Sequence, residues 1–187
     1  MPYSKTLPPF MLAASIILLT GCIESSDADE SAGSTPETTA GLSNPMTTQE
    51  INDFIVAIND YRANGATCGS KGSFGKQEPL TWNQKVAQAA QAHSDDQFEM
   101  NQMSHTGSDG SGADDRINRQ GYEWQSIREN VAAGYFTSVE HLAEAWMGSD
   151  GHCVNMMASD VTELGIAATR EDSGRGYWTL KLAQPRD

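Results

Sequence analysis

Apolar residues recur along this chain with two periods, helical in its first half and strand-like at its end. Ile51, Phe54, Ile55, Ile58 and Tyr61 repeat at helical spacing. Thr47-Thr48-Gln49-Glu50 opens that run as a capping box, with Thr47 as N-cap and Glu50 three residues on, and Asn64-Gly65 stops it. After a Gly/Ser/Lys loop, Thr81 to Gln102 reads as a second helix, with Val86, Ala89, Ala90 and His93 on one face. His93 in that stripe is a packed histidine rather than a ligand. Asp114 to Gln120 forms a short helix ending at Gly121. Thr137-Ser138-Val139-Glu140 repeats the capping-box pattern and opens a further helix, whose inner face is Val139, Leu142, Ala143 and Trp146. Gly148 to Gly151 breaks it, and His141 falls at its solvent edge.

The period then changes to two. Leu164 to Thr169 and Tyr177 to Ala183 are strands joined by the turn Asp172-Ser173-Gly174-Arg175-Gly176. A shorter extended piece runs from Glu129 to Ala133. Helices first and strands last predict an α+β layered domain.

The N-terminus has a different composition. Lys5 precedes the apolar run Phe10 to Leu19, which is too short to span a bilayer as a stable helix. Leu19-Thr20-Gly21-Cys22 follows and resembles a bacterial lipoprotein processing box. Residues 1–21 are therefore read as a lipoprotein signal peptide and Cys22 as the lipidated mature N-terminus, with an ordinary secretory signal as the alternative. Ile23 after the cysteine resembles the pattern of lipoproteins sent on to the outer membrane when the envelope is Gram-negative. Residues 22–45 lack aromatics and are rich in Ser, Thr, Asp, Glu, Gly and Pro, as a disordered tether is. Residues 46–187 remain as one domain.

Charge narrows the partners. Twelve Lys and Arg face 25 Asp and Glu, a net charge of −13. That balance argues against nucleic acid and against electrostatic adhesion to anionic lipid. The lipid on Cys22 is then the membrane contact. With Cys22 assigned, Cys68 and Cys153 form an even pair in an exported chain, which points to a disulfide; a metal role for Cys153 beside His152 is the alternative.

Three residues carry the candidate chemistry. His105, Glu129 and His152 stand in separate short motifs, and two of the four histidines of the chain fall in Gly/Ser-rich surroundings. Imidazole and carboxylate bind metals and move protons near neutral pH. Gly75-Lys76 is not a phosphate loop, since Ser70 and Gln77 replace required residues. No Gly-x-Ser-x-Gly elbow supports a serine hydrolase.

The motifs occur in the order Ser104-His105-Thr106-Gly107, Gly121-Tyr122-Glu123-Trp124, Glu129-Asn130-Val131-Ala132-Ala133-Gly134, Ala145-Trp146-Met147-Gly148-Ser149-Asp150-Gly151-His152, Glu163-Leu164-Gly165-Ile166-Ala167 and Gly176-Tyr177-Trp178-Thr179. In this order the domain resembles the CAP superfamily of cysteine-rich secretory, antigen 5 and pathogenesis-related proteins, and most closely its bacterial SCP-like branch. The resemblance implies a three-layer α-β-α sandwich with a surface cleft lined by two histidines and two acids, holding a divalent metal in some members. His105, Glu129 and His152 match three of those positions. Ser149 stands where many members have the second acid. His105 and His152 are the expected ligands for Zn²⁺ or another divalent ion, with Glu129 orienting a histidine or ligating directly. Two functions are expected from this pattern. One is a lipid-anchored domain binding a metal, small molecule, lipid or protein in the cleft. The other is a metal-dependent envelope hydrolase using His105, His152 and Glu129.

Overall fold

The computed structural model describes residues 45–186. The expected signal segment, the lipidated Cys22 and nearly all of the tether lie outside the described residues.

Helix α1 (Thr48–Asn64) starts as its sequence predicts: the Thr47 hydroxyl accepts from the Glu50 amide, and the Glu50 carboxylate accepts from the Thr47 amide. A loop follows, carrying the paired short strands β1 (Ala66–Thr67) and β2 (Ser73–Phe74) around Cys68. The predicted second helix is shorter than its sequence pattern. Thr81–Trp82 is strand β3, paired in parallel with β5, and α2 (Gln84–Met100) begins only after Asn83. The Asn83 side chain caps the amides of Lys85 and Val86, which the periodicity of Val86, Ala89 and Ala90 does not reveal.

Helix α3 (Ala113–Arg119) leads into β4 (Trp124–Gly134), an 11-residue strand where only Glu129 to Ala133 was expected. Helix α4 (Val139–Met147) is capped by the Ser138 hydroxyl, which accepts from the His141 amide. The Thr137–Glu140 capping box expected there does not form. Gly148 ends α4 as expected, and a further helix that the sequence pattern did not announce, α5 (Asp150–Met156), starts two residues later. The strands β5 (Glu163–Arg170) and β6 (Gly176–Pro185) make the expected hairpin.

The main sheet has the order β3-β5-β6-β4, so β4 is an edge strand. Alternation along the strands sends side chains to two helical layers. Leu164, Ile166 and Ala168 of β5, with Trp178, Leu180 and Leu182 of β6, pack on Phe54, Ile58, Leu142 and Trp146 of α1 and α4. The opposite face meets α2 and α3 through Val86, Ala89, Ile117 and Ala183. Helix α2 comes so close to β5 that a side chain at Gly165 would overlap the backbone of Ala87. The result is the α-β-α sandwich.

Three devices fix α5, whose seven residues cannot hold themselves as an isolated helix. Cys68 and Cys153 form a disulfide, and both are fully buried. The carboxylate of Asp150 also accepts from the amide and hydroxyl of Ser70, at 2.9 and 2.5 Å, in the same loop. At the other end, buried Arg62 donates to the carbonyls of Met156 and Ala158 at 2.9 and 2.8 Å and to that of Glu78 at 2.8 Å. The disulfide spans 85 residues, so the chain-entropy model assigns it about 4–5 kcal/mol. We expect Cys68→Ala/Cys153→Ala to lose stability of that order in urea unfolding, with a higher m-value because the unfolded chain is no longer cross-linked. A loss below about 1 kcal/mol would show that α5 is held without the bridge, by Asp150, Arg62 and packing.

Candidate functional site

Glu129 is the centre of a buried ionic cluster on the sheet face that α2 and α3 cover. The β4–β6 register sets Glu129 directly opposite Lys181, whose ammonium lies 2.5 Å from Glu129 Oε2. From α3, Arg116 Nη2 donates to both carboxylate oxygens, at 2.9 and 3.2 Å. From the loop after α2, the His105 ring meets Oε1 through Nδ1 at 2.9 Å. The side chains of Glu129, Arg116 and Lys181 are 4%, 4% and 2% exposed, whereas that of His105 is 60% exposed. One buried carboxylate thus anchors a ring that stands at the surface. Arg116 also donates to the carbonyls of His105 and Ser111, at 2.9 and 2.7 Å, and so holds both ends of the intervening loop.

The charges follow from burial and pairing. Burial alone would push Glu129 up. The His105 hydrogen bond and the charges of Lys181 and Arg116 outweigh it and hold the carboxyl well below the usual carboxylate range. Burial pushes Lys181 down, and Glu129 opposes that shift. An ionised carboxylate only accepts, so His105 Nδ1 carries a proton, and in the neutral ring Nε2 holds the lone pair. His93 is fully buried, as its place on the apolar face of α2 suggested. Its Nε2 donates to the Ser104 carbonyl at 2.7 Å and lies 3.9 Å from Glu129 Oε1. Burial lowers its pKa more than Glu129 restores it.

His152 arrives from the other side of β4. The outer edge of that strand is covered by side chains: Asn155 donates to the Glu129 carbonyl at 3.1 Å, and Trp146 Nε1 donates to that of Val131 at 3.3 Å. Asn130 donates to the His152 carbonyl at 3.1 Å and accepts from Asn155 at 2.8 Å. The His152 ring lies edge-on to Trp146, with centroids 6.5 Å apart. Burial, and secondarily the neighbouring His105, push its pKa down. His152 therefore belongs to a helix rather than to a Gly/Ser turn, and Glu129 to a strand.

Ser149 is the N-cap of α5, but its side chain makes no capping bond; its carbonyl accepts from the Cys153 amide. The adjacent Asp150 is committed to Ser70. Cys153 is bonded to Cys68, which removes it as a metal ligand. Among the described residues, no group of three or more His, Cys, Asp or Glu side chains is placed to hold a metal ion. The imidazoles of His105 and His152 remain as candidate donors, and the oxygens of Glu129 already accept from three cationic or imidazole donors. Motif reading missed Arg116, Lys181 and Asn155. Lys181 had a detectable signal: a charge between Leu180 and Leu182 in a strand covered on both faces requires a counter-charge.

Comparisons with known proteins agree on the fold. Residues 55–182 match the family model described as CAP, the cysteine-rich secretory protein family. A stretch of 92 residues is 33% identical to the uncharacterized membrane protein YlbC of Bacillus subtilis, covering 49% of this chain and 26% of that protein. Another of 105 residues is 27% identical to the uncharacterized protein YkwD of the same organism, covering 56% and 39%. The chain thus spans well under half the length of these relatives. Among solved structures, an outer surface protein of Borrelia burgdorferi superposes with a TM-score of 0.65 at 14% identity, over 78% of this chain and 100% of that one. An extracellular SCP-domain protein of Bacillus anthracis gives 0.59 at 21% identity, over 75% and 45%. At these identities the structural likeness speaks for the fold alone.

Two tests follow from the cluster. Glu129→Gln leaves Lys181 and Arg116 buried without their anion, and we expect a loss of about 3–5 kcal/mol in urea unfolding; a loss below about 1 kcal/mol would contradict the cluster. The second concerns pH. The folded state lowers the pKa of His93, so the unfolded chain takes up the proton first as pH falls. Its stabilisation is present above the ordinary value of 6.5 and is lost as pH drops below it. We expect Tm to fall on acidification from about pH 7 to about pH 5.5, and His93→Gln to flatten that slope. An unchanged slope in the variant would remove His93 from the account.

Proposed function

The chain belongs to the cysteine-rich secretory protein (CAP) family, and from that premise we propose that it is an extracytoplasmic binding domain rather than an enzyme. In this reading the lipid on Cys22 holds it to a membrane of the cell envelope, the outer membrane if the source is Gram-negative. A divalent metal such as Zn²⁺, or a ligand that coordinates in its place, binds weakly at His105 and His152.

The observation that carries the reading is the 2.9 Å bond from His105 Nδ1 to a buried, fully ionised Glu129. A carboxylate behind an imidazole fixes the tautomer and raises the basicity of the other nitrogen, as it does behind histidines that bind metals. Two imidazoles supply only half of a tetrahedral shell and leave the rest to water or ligand, which makes the site weak and exchangeable. When bound, the ion would act as a Lewis acid toward whatever ligand completes its shell. The hydrolase alternative requires a base with a free lone pair. Glu129 is a poor one, because its oxygens are engaged by His105, Arg116 and Lys181 and its carboxyl is held far into the ionised form. Export is supported by the buried Cys68–Cys153 disulfide, which suits an oxidising compartment. The names of similar proteins, a membrane protein, an outer surface protein and an extracellular protein, point the same way.

Titration calorimetry with Zn²⁺ tests the site. We expect weak one-to-one binding that is abolished in both His105→Ala and His152→Ala. Unchanged binding in both variants would sink it. Hydrolytic turnover that disappears in Glu129→Asp, with zinc binding retained, would instead favour the enzyme.

A further inference from the structure

A groove of about 510 Å³ runs along the outer side of α1 where α4 packs beside it, away from the ionic cluster. Its lining includes Asp53, Val56, Ala57, Asp60 and Tyr61 of α1 and Glu140 of α4. Val56 is 59% exposed, one of three large apolar side chains so exposed among the described residues. Three carboxylates rim this apolar floor, and among the described residues no Lys or Arg lines it. Arg62, next in sequence to Tyr61, is turned into the core and committed to carbonyls.

We propose that this groove docks a basic amphipathic helix of a partner protein. Asp53 and Asp60 are seven residues apart on α1, two helical turns or about 10.5 Å along its axis, with Val56 and Ala57 between them. A helix laid along α1 repeats that spacing. Lys or Arg at positions i and i+7 then meet the two aspartates, and apolar residues at i+3 and i+4 cover Val56 and Ala57. Glu140 adds a third acid from the second wall. The same three acids oppose a fatty-acid carboxylate, and the net charge of −13 favours encounter with a cationic partner. The proposal does not depend on metal at His105 and His152.

The probe is a fluorescein-labelled helical peptide with Lys at i and i+7 and Leu at i+3 and i+4, titrated with the full chain and followed by anisotropy. We expect saturable binding that weakens at least about fivefold between about 50 and about 300 mM NaCl. We expect at least about tenfold weakening in Asp53→Lys/Asp60→Lys, a smaller loss in the conservative Asp60→Asn, and no change in His105→Ala. Circular dichroism of each variant confirms that the fold persists. Three results would each overturn the proposal: no saturable binding by the parent chain, equal binding of a peptide carrying Glu in place of Lys, or undiminished binding by the folded charge-reversed variant.

Discussion

Burying the Glu129 carboxylate obliges the fold to bring hydrogen-bond donors along, two of them cations, and those donors come from three separate parts of the chain. Lys181 is supplied by the register of β4 against β6, Arg116 by α3, and His105 by the loop that Arg116 itself secures. Each ion taken from water costs several kcal/mol, so such a cluster persists only with good geometry and every oxygen engaged. That condition ties strand register, helix placement and loop path to one another. A one-residue slip of β4 would send Glu129 to the opposite face of the sheet, away from all three donors.

The other half of the site is held by covering an edge. As the outermost strand, β4 presents carbonyls to the side away from β6, and two of them, on Glu129 and Val131, are taken by Asn155 and Trp146. The same contacts bring α5 to the strand, while the Cys68–Cys153 bridge and Arg62 fix its body and its C-terminal end. His152 owes its position to this clamp. Ser149, at the N-cap of the same helix, accepts from the Cys153 amide through its carbonyl and places no acid beside His152. Of the two imidazoles, that of His105 is backed by the Glu129 carboxylate, whereas His152 is placed through its backbone carbonyl and by the edge of Trp146.

Much of the architecture is legible in the sequence because it rests on local rules. The Thr47 capping box, the apolar stripe of α1 and the alternating hairpin after Glu163 need only neighbours in the chain. The misreadings share a cause: tertiary contacts outweighed local pattern. Thr81 and Trp82 read as helix because nothing local announces a parallel partner at Glu163 and Leu164. The break after α4 at Gly148 is legible, but α5 itself is not, because the disulfide partner and Arg62 that stabilise it lie far away in sequence. His105 and His152 stand out because the chain has only four histidines, and Glu129 because its motif is specific. Arg116 and Lys181 do not, since a charge reveals its role only when its burial and its partner are known.

The site depends on the state of one imidazole, and ¹⁵N NMR of the histidine side chains reads that state directly. With Glu129 ionised and accepting from Nδ1, His105 near neutral pH is expected to show a protonated Nδ1 and, in its neutral form, an unprotonated Nε2 available to a ligand. A neutral His105 carrying its proton on Nε2, with Nδ1 bare, would contradict the account, because the carboxylate would then not be holding the ring.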